Sequence, residues 1–115
     1  MDALIQLTRK KTDLLAQLAA LGPMRKGSLT AQYVQATLKN GIQSQRGPYT
    51  LYTFKEQGRT VSRRLNDREQ IARYREQIDA FRRFQALTGE LAQLSQRLAD
   101  LEAVEATEGK KNSKR

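Results

Sequence analysis

Leucine recurs at intervals of three and four residues in two segments that lie near opposite ends of the chain. This spacing places the leucines on one face of an α-helix, so each segment predicts an amphipathic helix. Neither helix can bury its leucine face alone, and an antiparallel coiled coil between the two ends is the most economical solution. A coiled coil between two copies of the chain would satisfy the same residues. The leucines expected in this contact are Leu14, Leu18, Leu91, Leu94, Leu98 and Leu101.

The bounds of the two helices follow from residues that start or stop helical structure. The first helix is expected within residues 1–21, because Gly22 and Pro23 interrupt the pattern and proline cannot continue a helix. The second helix is expected over residues 67–105, after Asn66 as its N-cap. The chain therefore has helical ends and a different middle region.

The apolar series of the long helix changes its spacing around Phe81 and Phe84, where three-residue steps follow one another without a four-residue step between them. Such a break shifts the apolar face. We therefore expect the first half of this helix to pack against the middle of the chain and the second half to form the coiled coil. Residues 106–115 have no apolar pattern and predict a disordered basic tail.

The middle region contains two segments rich in β-branched and aromatic residues, 49–55 and 59–65, separated by a short loop with Gly58. This pattern predicts a β-hairpin over residues 49–65. A three-residue loop would place Tyr52 opposite Ser62. Residues 28–40 fit a helical stripe, and a strand over residues 32–37 fits nearly as well.

Within the hairpin, alternation divides the side chains between two faces. The better apolar pattern is on the face that carries Tyr49, Leu51, Val61 and Leu65, which we expect to face the core. Three further side chains would then point outward: Tyr52, Phe54 and Arg64.

Positive charge is concentrated in the middle of the chain. Over the whole sequence, 21 Lys and Arg residues against 12 Asp and Glu residues give a net charge of +9. Residues 22–66, the expected basic head, contain eight basic residues and one acidic residue, a net charge of +7. A polyanionic partner is the natural interpretation, with nucleic acid ahead of a membrane surface.

Arginine and aromatic side chains alternate in the hairpin, a combination that can hold phosphates and stack on bases. Solvated arginines above an aromatic core would give the same pattern. The candidate nucleic-acid-binding residues are Arg25, Lys26, Arg46, Tyr52, Lys55, Arg59, Arg63 and Arg64.

The residue types that are absent limit the chemistry. The sequence contains no Cys and no His, which removes the usual zinc ligands and the Ser-His or Cys-His nucleophile pairs. No phosphate-binding glycine motif is present either. We therefore expect no enzymatic activity, no cofactor and no metal. Because no run of 18 apolar residues occurs, we expect no membrane span and a cytoplasmic location.

Several short motifs occur in a fixed order: Gly27-Ser28-Leu29, Gln32-Tyr33, Gly47-Pro48-Tyr49, Gly58-Arg59-Thr60 with Arg63, and Asp79 to Phe84. Together they resemble a family of small, uncharacterised bacterial and archaeal proteins with a GSL…QY…GPYY…GKT…R pattern and a YRRF-like motif. The resemblance implies a link to mobile genetic elements and an accessory role beside a transposase, a recombinase or a guide RNA. Many members of this family carry a Cys-rich stretch where this chain has residues 34–46, so any metal role of that stretch is not carried over.

These observations predict an α+β protein, with an antiparallel helical coiled-coil stalk and a small basic β-hairpin head. The expected function is non-enzymatic binding of DNA or structured RNA through the head, with the stalk docking a partner enzyme or a second copy. The alternative is a protein–protein adaptor or structural coiled-coil protein whose basic charge serves an acidic protein partner.

Overall fold

The computed structural model describes residues 2–113, with side chains for residues 2–107. The chain is α+β, with two helices and a three-stranded antiparallel sheet. No helix in the described residues combines the length and apolar character needed to cross a membrane. The elements are α1 (Asp2–Ala19), β1 (Ser28–Thr37), β2 (Gln43–Glu56), β3 (Arg59–Leu65) and α2 (Arg68–Ser113).

The chain separates into two compact units, and α2 contributes to both of them. The sheet unit is Gly22–Phe81, and the helix-pair unit contains α1 together with α2 from Arg82 onward. One boundary follows Leu21, directly before the Gly-Pro pair. The other falls between Phe81 and Arg82, within the predicted break in the apolar spacing. A change in the apolar face of α2 thus coincides with the change from one core to the other.

Among the described residues, the buried core of the helix-pair unit consists of leucines. Leu7 and Leu14 of α1 are buried together with Leu87 and Leu94 of α2. The helices run antiparallel, since the Arg83 guanidinium donates a 2.6 Å hydrogen bond to Gln17 Oε1 while Leu7 lies beside Leu94. The leucines of α1 and α2 therefore bury one another within a single chain. The partly buried leucines against this core are Leu18, Leu21, Leu91, Leu98 and Leu101.

Helix α2 differs at both ends from the bounds expected from the sequence. It begins at Arg68, and the N-cap is Asp67 rather than Asn66, because Asp67 Oδ1 accepts the Glu69 N–H at 3.3 Å. The helix continues to Ser113 instead of ending near residue 105. Residues 106–113 mix good helix formers, such as Ala106 and Lys110, with weak ones, such as Gly109 and Asn112. The extension adds residues to an existing helix, which costs less free energy than starting a new one. The last two residues of the predicted tail lie outside the described residues.

The sheet has the order β1-β2-β3, with both pairs antiparallel. Residues 28–37 form strand β1, so the strand alternative holds and the helical stripe is wrong. Pairing with β2 supplies the backbone hydrogen bonds that a helix would have made internally. A bulge interrupts the pairing between Gln32 and Val34.

The predicted hairpin is present as β2 and β3, but its register is shifted by one position. The turn has two residues, Gln57 and Gly58, both with positive φ (51° and 78°), as in a type I′ turn. Tyr52 consequently lies opposite Arg63 rather than Ser62. A one-residue error in loop length moves the side chains of one strand relative to those of the other.

The face assignment was wrong for the aromatic residues. Tyr52 is buried with Leu65 and with Ile78 of α2, and Phe54 packs against this cluster. The Tyr52 ring stacks on Phe54 at 4.9 Å and meets Tyr74 edge-on at 5.0 Å between centroids.

Leu65 and Val61 do lie on the α2-facing side as predicted, across from Thr50 and Phe54. Leu51 and Tyr49, in contrast, lie on the opposite side. The shift of one position in register therefore changed the face of the β2 side chains relative to those of β3.

Candidate nucleic-acid interface

The strands divide the candidate basic residues between two faces of the sheet. Arg63 shares the α2-facing side with Tyr52, and its guanidinium lies 5.3 Å from the Phe54 ring centroid. Lys55 and Arg64 belong to the opposite side because side chains alternate along a strand. The sequence-predicted residues therefore do not form a single cluster.

We call the side of the sheet opposite α2 the outer face. Lys55, Ser62 and Arg64 are exposed there, while Tyr49, Leu51 and Thr53 are half-buried. The Thr53 and Ser62 hydroxyl oxygens lie 3.0 Å apart and share a hydrogen bond across the strands. Cations, an aromatic ring and hydroxyl groups thus occupy one surface. The outer face comprises Tyr49, Leu51, Thr53, Lys55, Ser62 and Arg64.

Arg64 and Tyr49 form the closest cation–aromatic contact of the outer face. The Arg64 guanidinium carbon lies 3.9 Å from the centroid of the Tyr49 ring. Stacking of this kind flattens the guanidinium against the ring and leaves its edge N–H groups to reach outward. Tyr49 was expected in the core, but it lies on the outer face beneath Arg64. The alternating pattern itself gave no signal that could separate Tyr49 from Tyr52.

Arg25 takes part in the packing of the sheet unit. Its guanidinium carbon lies 4.0 Å from the Tyr74 ring centroid and 5.6 Å from that of Tyr52. Its Nε donates to Gln77 Oε1 at 3.0 Å, and its backbone N–H donates to the Gln77 carbonyl at 3.0 Å. These contacts fix the segment before β1 against α2. Arg25 therefore serves the fold directly, a role that its sequence context did not indicate.

Tyr52 cannot offer its ring to a base, because only 3% of its surface is exposed. Its hydroxyl donates a hydrogen bond to the carbonyl oxygen of Lys26. The prediction that this tyrosine points outward is wrong, and Tyr52 is therefore not part of a nucleic-acid contact surface. Instead, the ring and its hydroxyl hold the backbone of Lys26 at the start of β1.

Lys26 and Lys55 are brought to one groove of about 540 Å³ at an end of the sheet. Phe54 supplies apolar surface in this groove, and Gly27 lines it beside Lys26. Gly27 has φ of 122°, and a Cβ there would lie 2.6 Å from the Thr53 carbonyl oxygen. Only glycine allows the chain to pass this close to β2, which explains the requirement for Gly27 before β1.

Two of the remaining candidates lie away from the groove. Arg46 is exposed and pairs with Val34, in a part of the β1–β2 ladder that β3 does not reach. Arg59 is exposed at the start of β3, opposite Glu56. An acidic residue directly across from Arg59 partly offsets its charge.

All six leucines predicted for a coiled-coil contact lie in the helix-pair core or against it. Leu14 and Leu94 are buried, and the other four are half-buried. The intramolecular alternative thus accounts for these side chains. A partner of this unit would have to contact other residues of the two helices.

The described residues contain no group of three or more acidic side chains arranged to share a metal ion. Comparison of the chain with protein-family models, with curated proteins and with solved structures found no match. The basic, aromatic and hydroxyl side chains on the surface of the sheet unit are therefore the features that bear on function.

Proposed function

We propose that this chain is a non-enzymatic nucleic-acid-binding accessory protein of a mobile genetic element. The sheet unit contacts the phosphates and bases of DNA or structured RNA. In this proposal the helix pair serves as a coiled-coil stalk and the sheet unit as the basic head. The observation that carries the proposal is the Arg64–Tyr49 stack on the outer face, the side of the sheet that also carries Lys55.

Charge is distributed in a way that favours the sheet unit as the contact surface. Residues 22–66 carry eight basic residues and a single acidic one. The sheet unit as a whole, residues 22–81, has a net charge of +6, and the helix-pair unit, residues 1–21 and 82–115, has a net charge of +3, with residues 110–115 alone contributing +4. Long-range attraction to a polyanion therefore acts most strongly on residues 22–66, and the basic C-terminal residues add to it.

The outer face offers three kinds of contact to a nucleic acid. Arg64 and Lys55 supply the positive charge for phosphate oxygens, and Arg64 adds a planar fork that can bind two oxygens. Tyr49 and the stacked guanidinium present flat surfaces to an unpaired base. The Thr53 and Ser62 hydroxyls can bond to phosphate or sugar oxygens.

The helix pair is the part of the chain proposed to dock a partner enzyme, such as a transposase or recombinase, or a second copy. Because the seam leucines already pack within the chain, this docking uses the outward side of the helices. Ile5 and Leu15 are large apolar side chains of α1 that remain exposed and can contribute to it.

The salt dependence of binding tests the contact surface. Fluorescence anisotropy with a labelled 20-base-pair duplex and a labelled RNA hairpin would be measured over a series of NaCl concentrations. Replacing Lys55 and Arg64 by alanine should lower the slope of log affinity against log salt by about 1.8 for the duplex, since each phosphate contact contributes about 0.9. Affinity should fall for both probes.

A matched control removes the same charge from the helix pair. The exposed residues Lys10 and Lys11, both changed to alanine, should leave the slope within error of the wild type. Equal slopes for the two double variants would reject the outer face as the contact surface. If the wild type binds neither probe but captures an acidic protein, the adaptor alternative replaces the proposal.

A further inference from the structure

Strands β1 and β2 continue past the part of the sheet that β3 covers. Residues 34–37 pair with residues 43–46, whereas β3 pairs only with residues 50–56 of β2. We call residues 34–46 the β-arm, a two-stranded ribbon without a third strand. Two-stranded ribbons bury little and are marginal by themselves in water. A feature of this kind gains stability when a partner covers it.

The tip of the β-arm is well formed. Leu38 N–H donates to the Ile42 carbonyl at 2.8 Å, and Gly41 N–H donates back to the Leu38 carbonyl at 2.9 Å. The Asn40 side chain accepts the Ile42 N–H at 3.2 Å. Gly41, with φ of 81°, allows the turn to close. These bonds hold Leu38 and Ile42 side by side at the end of the ribbon.

The tip presents apolar surface to its surroundings. Leu38 is 41% exposed and Ile42 is 58% exposed, and Tyr33 and Val34 at the base of the β-arm are also exposed. Such a pair of aliphatic side chains at the end of a narrow ribbon has the form of a wedge. Architectural DNA-binding proteins insert apolar wedges of this type between base pairs from the minor groove.

The charges and amides around the wedge favour duplex DNA as the occupant. No acidic residue lies between Gly22 and Lys55, while Lys39 at the tip and Arg46 on β2 are basic and exposed. Gln35 faces Gln45 across the ribbon. Side-chain amides bond to the acceptors that base edges present in the minor groove.

We infer that the β-arm enters the minor groove of duplex DNA and that Leu38 and Ile42 wedge into a base step and kink the duplex. This inference rests on the proposed nucleic-acid-binding function and names the partner as a deformable duplex. Lys39 and Arg46 contact the phosphates that flank the groove. Pyrimidine–purine steps such as TA, which unstack most easily, are the preferred point of insertion.

The experiment uses the full chain and two duplex probes. One duplex carries donor and acceptor dyes at its ends, so that a kink of about 20–90° shortens the end-to-end distance and raises energy transfer. The other carries 2-aminopurine in a TA step and brightens when that step unstacks. The wild type should raise both signals at saturation, and it should raise them less when the TA step is replaced by a stiff A-tract.

The test variant changes Leu38 and Ile42 to serine. Because both side chains are exposed, the fold should be preserved, which circular dichroism checks. We expect this variant to lose most of the energy-transfer and 2-aminopurine changes while keeping the salt slope of the wild type. The matched control changes Met24 and Val104, which are 43% and 54% exposed and lie outside the β-arm, to serine, and it should keep both signals.

Several results would overturn the inference while leaving the proposed function in place. They are duplex binding without a change in either signal, full kinking by the Leu38/Ile42 variant, and binding to the RNA hairpin alone. Binding to anionic phospholipid vesicles or self-association that depends on the two tip residues, without duplex kinking, would also overturn it. Absence of salt-dependent binding to any nucleic acid would reject the inference and the proposed function together.

Discussion

The two units of this chain solve the same problem, the burial of a small core, with different side chains. In the helix-pair unit the buried residues among those described are all leucines, and the unit has a net charge of +3 against +6 for the sheet unit. In the sheet unit the core contains Tyr52 and is bordered by Phe54 and Tyr74, with the Arg25 guanidinium placed against two of the rings. The first core is purely aliphatic, and the second includes a cation in its packing.

The contrast between the two cores shows that a basic segment can build its core from aromatic rings. The sheet unit leaves the aliphatic side chains of Val34, Leu38 and Ile42 exposed, and the aromatic rings of its core supply apolar area and accept cation–aromatic contacts at the same time. The helix pair needs only the regular spacing of leucine. Substitutions at three positions, Tyr52, Leu87 and Gln57, measure this contrast.

Replacing Tyr52 by alanine should destabilise the sheet unit most. It removes a buried ring that contacts Phe54, Tyr74 and Arg25, and the expected loss in the free energy of unfolding is about 3–5 kcal/mol. Urea denaturation measures the loss. Hydrogen exchange should accelerate more in β2 and β3 than in α1, because the two cores share no residue.

The Tyr52→Phe variant separates the ring from its hydroxyl. It keeps the stacking and loses only the hydrogen bond to the Lys26 carbonyl, at a cost of about 1 kcal/mol. If both variants cost the same, the ring contributes nothing beyond its hydroxyl, and the aromatic description of this core fails.

Replacing Leu87 by alanine tests the aliphatic core. Leu87 is 2% exposed, and the substitution should cost about 2–5 kcal/mol by leaving a cavity between the helices. Urea denaturation measures this cost as well, and hydrogen exchange should now accelerate first in α1. The exposed Leu15 provides the control, since its replacement by alanine should change stability by about 0.5 kcal/mol or less. Faster exchange in the strands than in α1 would contradict the division into two cores.

The smallest expected effect concerns the β2–β3 turn and has the opposite sign. Gln57 has φ of 51°, a left-handed conformation that asparagine adopts more readily than glutamine. Gln57→Asn should therefore raise the free energy of unfolding by about 0.5 kcal/mol. Gln57→Ile, which places a β-branched residue in the same conformation, should lower it. Thermal unfolding followed by circular dichroism compares the two, and the reverse order would argue against a type I′ turn.

Much of the helical architecture could be predicted, because the period of leucine in the sequence is the period of the helix. The spacing of Leu14, Leu18, Leu91 and Leu94 predicted which side chains share a contact, and all four lie in or against one core. The helix ends were less predictable. The choice of Asp67 over Asn66 as N-cap depends on a local hydrogen bond that both residue types can make.

The candidate interface was less accessible to sequence reasoning. Its basic residues were recognisable as a group, but their division between two faces depends on strand register. The β2–β3 loop is one residue shorter than expected. With the resulting register, Tyr49 lies on the outer face and Tyr52 is buried. The exposed tip formed by Leu38 and Ile42 was not foreseen, since residues 28–40 were ambiguous between strand and helix.

Local information in the sequence determined the α+β class, the leucine contact between the helices and the concentration of positive charge in the middle of the chain. Periodicity and composition depend on residues that are close in sequence, so they can be read without knowledge of the fold. Only the tertiary structure decided which side of the sheet faces α2 and which cation stacks in the core. Those choices depend on competition among distant side chains for the same buried area, and a linear pattern does not contain that competition.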